Sequence, residues 1–412
     1  MGSAASTLNV PEILKEIWHE EIEDYKIEGM AAWGLVPKST DWDGEILNVT
    51  VMIGGMAGRS NTFENSLENK SPSRYKRMQV ETSDNFATWA IEHKLITLSR
   101  NNRGALVRAL DAQTRHAFDK FKRSVGWQLW GNGGGAWGEI ASIAGDTITL
   151  VDIEDATRVD IDDVVLLSDD DGVAGGGLRP YNAKLTVTGV NEKTGEISFD
   201  DDVTTAIPGA TTGDFLFFDG DYGAALYGFP AYIPFDDPGT GSVPASIWGM
   251  DRTSHRTKLA GVPIGGAGLY AHEGISKALS TAKRLRVNPT HLFMSPALFN
   301  ELDRTLGSAR RYADEKVGRV GFTGIEFANG DSSPVRCYPD IDIKGRKVYG
   351  LDLPAFDFKS ADDFPMWMTI DGKKEFFTES NANAFQGRIG GYGQLYPEHM
   401  KHLILDFDQV DP

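Results

Sequence analysis

The chain has 412 residues, of which 41% are hydrophobic and 24% are charged, so it can bury a sizeable core in about two or three compact units. No run of residues reaches the roughly 18 apolar positions of a membrane-spanning helix, and residues 1–10 lack the pattern of a signal peptide. The single cysteine, Cys337, cannot form an intrachain disulfide, which fits a reducing compartment. We therefore expect a globular protein without a membrane segment.

Residues 1–37 begin with an acidic stretch of helical character. Pro11 suits the first turn of a helix, and residues 12–28 contain seven acidic residues against two lysines. One interpretation is a surface helix that water solvates. The other is an arm that docks on a basic surface, through acidic side chains such as Glu16, Glu20 and Glu23.

Residues 38–99 are predicted to form a long hairpin. Residues 46–53 alternate in the manner of a strand, and residues 80–98 form a second run compatible with β structure. The polar stretch between them, residues 54–76, has few large apolar side chains. A hairpin that cannot bury its own tip needs a surface to lie on. The candidates for that contact are the basic residues Arg59, Lys70, Arg74 and Lys76.

Residues 100–136 contain the clearest helix of the sequence. Leu106, Leu110, Phe121 and Val125 recur at helical spacing, and glycines from Gly131 onward end the pattern. This helix is strongly basic and complements the charge of the N-terminal stretch. Its candidate docking residues are Arg103, Arg108, Arg115 and Lys122.

Residues 137–222 form an acidic β module. They hold nineteen acidic residues against four basic ones, a net charge of −15 within a chain total of −18. Six short β-prone runs alternate with Asp, Gly and Thr turns, which is typical of a small barrel or sandwich. Such a surface repels nucleic acid. Residues 223–412 return to a mixed α/β pattern.

No catalytic, cofactor-binding or metal-binding residue is predicted. Residues 133–138 match GxGxxG, but they follow a helix and precede strands, the reverse of the dinucleotide-binding order. The aspartates at 169–171 and 200–202 lack the ligand spacing of an EF-hand, which leaves solvated turns or adventitious calcium. His399 and His402 have no third ligand nearby in sequence. An active site assembled from distant residues stays open.

The order of these parts resembles the HK97-like fold of the major capsid proteins of tailed double-stranded DNA bacteriophages. Four short stretches are similar to phage capsid sequences: residues 98–101 with Gly104, 226–231, 293–296 and 387–393. The resemblance implies an α+β fold with an N-arm (1–37), an extended E-loop (38–99) and a spine helix of the peripheral domain (100–136). A small all-β domain is inserted at 137–222, and residues 223–412 supply the axial domain and the remaining peripheral segments.

The resemblance also implies a function and partners. The expected protein self-assembles through hexamers and pentamers into an icosahedral shell that encloses packaged double-stranded DNA without reading its sequence. Its other expected partners are a separate scaffolding protein, a portal and, as an option, a decoration protein. It is expected in the virion, after assembly in the host cytoplasm. The alternatives are an encapsulin-type shell with protein cargo, a tail or decoration component, and an enzyme with scattered active-site residues.

Overall fold

The structure is a computed structural model that describes residues 30–92, 103–173, 175–180, 183–241, 243–306, 325–327, 334–368, 377–378 and 384–411. For residues 91–92, 103–113, 377–378 and 384–385 the description covers the backbone only. The acidic candidates Glu16, Glu20 and Glu23 lie outside the described residues.

The first part of the described chain consists of a short helix, a hairpin, a further strand and one long helix. In chain order its elements are α1 (Ala31–Leu35), β1 (Lys38–Ser39), β2 (Ile46–Gly54), α2 (Phe63–Glu68), β3 (Arg74–Glu81), β4 (Ser83–Glu92) and α3 (Arg103–Leu129). The expected strand at 46–53 and the expected long helix are thereby confirmed.

The hairpin differs from its prediction in the strand that returns from the tip. β2 pairs with β3 in an antiparallel register from Ile46↔Glu81 to Gly54↔Arg74, whereas β4 pairs with a distant strand near the C-terminus. The β structure predicted within residues 80–98 is present as β4, but its assignment as the return strand of the hairpin was wrong. Charged side chains at the start of β3 hide its alternation, because only Met78 and Val80 in it are buried. Arg74 and Lys76 consequently lie on a strand, and the tip itself contains helix α2.

The acidic module is a closed barrel of six described strands in the order β10-β5-β6-β9-β8-β7. A 3-10 turn, Ile153–Arg158, follows its second strand. The barrel elements are β5 (Gly138–Ala144), β6 (Thr147–Leu150), β7 (Val164–Ser168), β8 (Leu185–Asn191), β9 (Glu196–Phe199), α4 (Val203–Ala206) and β10 (Phe215–Phe218).

The remaining chain forms short helices and strands that complete two sheets. These elements are α5 (Phe229–Tyr232), β11 (Ser246–Ile247), β12 (Met250–Asp251), α6 (Arg256–Leu259), β13 (Val262–Gly265), α7 (Ala271–Arg284), β14 (His291–Met294), α8 (Pro296–Leu306), β15 (Ile325–Phe327), β16 (Val335–Pro339), β17 (Lys347–Leu351), β18 (Phe356–Ser360), β19 (Met366–Trp367), β20 (Phe377–Thr378), β21 (Ala384–Pro397) and β22 (Leu403–Asp406).

The two sheets divide the body into two layered units. In one sheet the order is β1-β18-β21-β19, with β4 and β20 also paired to β21, and helix α3 packs against β4 and β21. In the other the order is β13-β22-β17-β14-β16-β15, and helices α7 and α8 pack against it. Each sheet buries an apolar face under its helices, as two-layer α+β units do.

Strand β21 explains the glycine-rich stretch that stood out in the sequence. A Cβ atom built on Gly387 would meet the ring of Trp89 at 2.4 Å, and one on Gly390 would meet Phe86 at 2.6 Å. On Gly391 it would meet the ring of Phe364 at 2.3 Å. The glycines therefore leave room for aromatic rings from neighbouring segments to lie directly on the strand.

Replacing Gly391 by alanine should destabilise the fold, because the new methyl group would overlap the ring of Phe364. We expect a loss of about 1–3 kcal/mol in the free energy of unfolding, measured by chemical denaturation. Gly55→Ala is the control, since a Cβ there meets nothing within 4 Å, and it should change stability by less than about 1 kcal/mol. Equal stability of the two variants would contradict this packing.

Candidate assembly surfaces

The tip of the hairpin exposes large apolar side chains. Met56 is 80% exposed and Phe63 is 78% exposed, and Tyr75 is 62% exposed on the strand that leaves the tip. Met52 and Leu67 are also exposed. We call these five residues the apolar tip. Side chains of this size are usually buried, and a concentration of them on a projecting element marks an interaction surface.

The tip is nevertheless a defined structure. The Ser66 hydroxyl donates a hydrogen bond to the carbonyl oxygen of Gly58, and the Asn69 side chain donates to the carbonyl oxygen of Asn65 at 2.9 Å. The backbone N–H of Ala57 donates to the carbonyl oxygen of Ser71 at 3.3 Å. These bonds fix helix α2 across the end of the hairpin. The backbone that carries the apolar side chains is therefore held by hydrogen bonds within the tip.

The basic candidates of the hairpin lie at the tip and on the strand that leaves it. Arg59, Lys70, Arg74 and Lys76 are all exposed. None of the four forms an ion pair with another described residue of the chain. The root of the hairpin, in contrast, belongs to the body, because Val51, Met78 and Val80 join its main apolar core. The hairpin is thus anchored at one end and uncovered at the other.

The basic candidates of helix α3 are distributed along its length. Arg103 and Arg108 lie where the description covers the backbone only, and Arg115 is exposed. The Lys122 ammonium lies 3.8 Å from the Asp119 carboxylate of the same helix. Their predicted contact with an acidic N-terminal arm stays a prediction.

The acidic barrel supplies partners for two other cations of this helix. The Lys120 ammonium forms an ion pair with Asp163 of the barrel, and Arg123 Nη1 lies 3.8 Å from Asp160 Oδ2. Sequence reasoning missed these contacts, although the basic helix stands directly before the acidic module in the chain. Part of the charge complementarity of the protein is therefore satisfied within the chain itself.

An ion cluster around the buried carboxylate of Asp155 attaches the barrel to the body. The Lys344 Nζ atom lies 2.8 Å from Asp155 Oδ1, and Arg158 Nη1 lies 3.2 Å from the same oxygen. Arg158 also donates to the carbonyl oxygen of Trp137 at 3.0 Å, and its guanidinium lies over the ring of Trp127, 5.7 Å from the centroid. Burial raises the pKa of Asp155 and lowers that of Lys344, while their attraction opposes both shifts.

The ion cluster lines a cavity of about 380 Å³ between the end of helix α3, the barrel and the body. Trp127, Trp130, Asp152 and Lys347 also line it. Both cations and carboxylates line its walls, so the cavity does not present a surface of one charge sign. The cavity lies along the seam where the barrel joins the body.

The motifs considered for chemistry have structural roles. The N–H of Gly134, in the glycine-rich loop, donates to the Asn132 side chain at 3.0 Å, and its carbonyl oxygen accepts from the N–H of Gly223, which joins the entry and exit of the barrel. His402 accepts a hydrogen bond from the N–H of Asp352 and donates to the carbonyl oxygen of His399, so both ring nitrogens are occupied. Burial lowers the pKa of His402 to about 3, which keeps the ring neutral.

Neither a metal site nor a membrane helix is found in the described part of the chain. No group of three or more His, Cys, Asp or Glu side chains comes together there in a way that could hold a metal ion. No helix in the same ranges has the length and apolar character needed to cross a bilayer.

The element order and the two layered sheets make up an α+β fold of the HK97-like type. Among solved structures, the cyanophage A-1(L) capsid asymmetric unit matches with a TM-score of 0.56 at 11% sequence identity, over 94% of this chain and 95% of that chain. At this identity the likeness shows the fold alone. The expected HK97-like α+β fold is thereby confirmed.

Other shells match more weakly. The capsid of a native GTA particle gives a TM-score of 0.42 at 9% identity, over 92% of this chain and 91% of that chain. The holo-SrpI encapsulin complex from Synechococcus elongatus PCC 7942 gives 0.40 at 8%, over 93% and 89%. These two scores are too low to carry an argument. No family model matches the chain, and no curated protein matches it.

Removing the charge of Asp155 should loosen the attachment of the barrel. In Asp155→Asn, Lys344 and Arg158 lose their shared carboxylate, and we expect a loss of about 1–3 kcal/mol in the free energy of unfolding by chemical denaturation. The control is Asp219→Asn, which breaks the exposed pair with Lys184 and should cost about 0–1 kcal/mol. If the control costs as much as Asp155→Asn, the cluster does not attach the barrel.

Proposed function

We propose that this chain is a major capsid protein, which self-assembles into the icosahedral shell that encloses packaged phage double-stranded DNA. The observation that carries the proposal is the apolar tip of the hairpin, on an element that lacks a core of its own at that end. The HK97-like fold supports it, because that fold supplies a compact body from which such an element projects. In this function the chain is structural and not an enzyme.

Burial of the apolar tip on a neighbouring subunit supplies the energy of assembly. A large side chain such as Phe63 or Met56 contributes about 1.5–3 kcal/mol when it leaves water. The structure exposes both of them on one hairpin. The same contact recurs at every subunit of a closed symmetric shell, so modest contacts add up to a stable particle.

The charged candidates set the register of these contacts more than their strength. Exposed ion pairs are individually worth about 0–1 kcal/mol. Arg59, Lys70, Arg74 and Lys76 would align the hairpin on the adjacent subunit. The acidic arm, with Glu16, Glu20 and Glu23, would dock on the basic helix. Its partners there are the candidates Arg103, Arg108, Arg115 and Lys122.

The barrel is proposed to be an insertion in the HK97-like framework, at residues 137–222. The other proposed units are the N-arm at 1–37, the E-loop at 38–99, the spine helix at 100–136, and the axial and remaining peripheral segments at 223–412. With a net charge of −15, the barrel suits the outer surface of the shell or the space between capsomers, away from packaged DNA. Its ion pairs with helix α3 would hold its orientation in every subunit.

The proposed partners follow from this role. The chain would assemble with itself in hexamers and pentamers, aided by a separate scaffolding protein and a portal, and a decoration protein could bind the finished shell. DNA would be enclosed without sequence reading, and the protein would belong to the virion after assembly in the host cytoplasm.

Replacing Phe63 by serine should impair assembly and leave the fold intact. The side chain is exposed in the single chain, so the free energy of unfolding should change by no more than about 0.5 kcal/mol. The loss of its burial between subunits should raise the concentration needed for assembly on the order of tenfold, measured by sedimentation. Val410→Ser, at a residue 73% exposed outside the hairpin, is the matched control. Assembly of Phe63→Ser at the wild-type concentration would remove the basis of the proposal.

Reversing charges at the tip should disturb the register of assembly. The double change Arg59→Glu with Lys70→Glu is expected to lower the yield of closed particles severalfold, counted by negative-stain electron microscopy. Lys193→Glu with Arg284→Glu changes the net charge equally at exposed residues away from the hairpin. If both double variants lose closed particles to the same extent, net charge and not tip position is responsible.

A further inference from the structure

Two carboxyl groups lie side by side where three segments meet. Asp340 and Asp342 follow strand β16, and they face the first described residues of the chain on one side and the last turns of helix α3 on the other. Asp340 is 1% exposed. The Oδ2 atom of Asp342 is buried and has no hydrogen-bond partner among the described residues.

Asp340 holds the beginning of helix α1. Its Oδ2 accepts a hydrogen bond from the N–H of Ala32 at 3.0 Å, and its Oδ1 accepts from the N–H of Asp342 at 3.2 Å. The N–H of Ala31 and the side chain of Trp130 also favour the ionised form of this carboxylate. The ionised form of Asp340 is therefore stabilised by hydrogen bonds. Through the bond to Ala32 it also attaches residues 30–36 to the body.

Asp342, unlike Asp340, has a carboxylate oxygen, Oδ2, without a hydrogen-bond donor among the described residues. A Cβ atom built on Gly126 of helix α3 would lie 2.6 Å from Asp342 Oδ2 and 2.2 Å from the terminal methyl carbon of Met30. The carboxyl group is thus enclosed by the glycine of the helix and by the methionine of the N-terminal segment. The charges that act on it are Asp340, which repels its ionised form, and Arg158, which favours it.

We propose that Asp340 and Asp342 form a proton-dependent latch, which holds residues 30–36 against helix α3 while the pair keeps a proton and weakens when both groups are ionised. The proton is exchanged with solvent. Asp340 serves as the acceptor for the helix, and Asp342 as the group that is tolerated in its enclosed position only when it is neutral. Residues 30–36 belong to the proposed N-arm, so the latch, which in this respect rests on the proposed function, would link the placement of that arm to proton concentration.

The direction of the pH effect follows from burial. Burial raises the pKa of Asp340 to about 6, and burial followed by repulsion from Asp340 raises that of Asp342 to about 7, both from an ordinary value of 3.8. A carboxyl group with a raised pKa stabilises the docked state fully below its ordinary pKa and loses this contribution as pH rises to the raised value. Docking should therefore be firm near pH 5 and weakest above pH 7.

The test is hydrogen exchange of the amides of residues 30–36 in the full-length protein between pH 5 and pH 8, after division by the chemical exchange rate at each pH. Between pH 6 and pH 7, where the proton on Asp342 is the one that is lost, protection relative to strand β14 should fall by about tenfold, and above about pH 7 it should level off. Asp342→Asn, which stays neutral, should remove the fall between pH 6 and pH 7 and keep the segment protected at pH 8. Asp201→Asn, at an exposed carboxylate of the barrel, should follow the wild type.

Two results would overturn the latch: protection of residues 30–36 that is constant between pH 5 and pH 8 in the wild type, or the same pH-dependent fall in Asp342→Asn. If Asp342→Asn does not fold, Asp342→Ser is measured instead, with the same expectation. Exchange is followed within the single chain, and its oligomeric state is recorded at each pH by sedimentation. The latch therefore stands or falls separately from shell assembly.

Discussion

The last turns of helix α3 hold the molecule together, because different sides of this helix pack against different units. Phe121, Val125 and Leu129 enter the main apolar core, whereas Trp127 belongs to the core of the barrel. Gly126 faces Met30 and Asp342, where any larger side chain would collide with both. A rotation of the helix by one residue would break all of these contacts together, so the sequence of this stretch admits one orientation.

Trp130, just beyond the helix, extends this role into the second sheet. Its ring lies 4.9 Å from that of Phe229, 5.8 Å from that of Phe293 and 5.0 Å from that of Tyr349, measured between centroids. The end of the helix is therefore fixed to the body while the barrel is fixed to its side. The body and the barrel thus keep one geometry relative to the end of helix α3. The hairpin, in contrast, leaves its tip uncovered.

Much of this architecture is readable from the sequence where the signal is local. Helical spacing from Leu106 to Val125 predicts α3. The six short β-prone runs of the acidic module predict a small barrel or sandwich. Alternation cannot separate a barrel from a sandwich, because both bury every second residue. The return strand of the hairpin was misplaced because its outer half is charged. The glycines of residues 387–393 stand out in the sequence. Only the structure shows that they leave room for aromatic rings packed on strand β21.

The candidate surfaces were likewise predictable only in part from the sequence. The exposed cations of the hairpin could be named from the sequence, but the apolar tip around them could not, since exposure is a property of the fold. Asp155 and Lys344 are 189 residues apart, and the sequence around either residue does not predict their contact. Asp340 and Asp342 likewise read as two ordinary acidic residues until the fold brings the start of α1 against them.

The central claim is that the apolar tip of one subunit is covered by another in a closed shell. The most direct measurement is a cryo-electron microscopy map of the particles that the purified protein forms, after sedimentation has established their size. The account predicts an icosahedral shell in which Phe63 and Met56 are buried on the adjacent subunit. A protein that stays monomeric at every concentration, or a particle that leaves the tip in solvent, would contradict it.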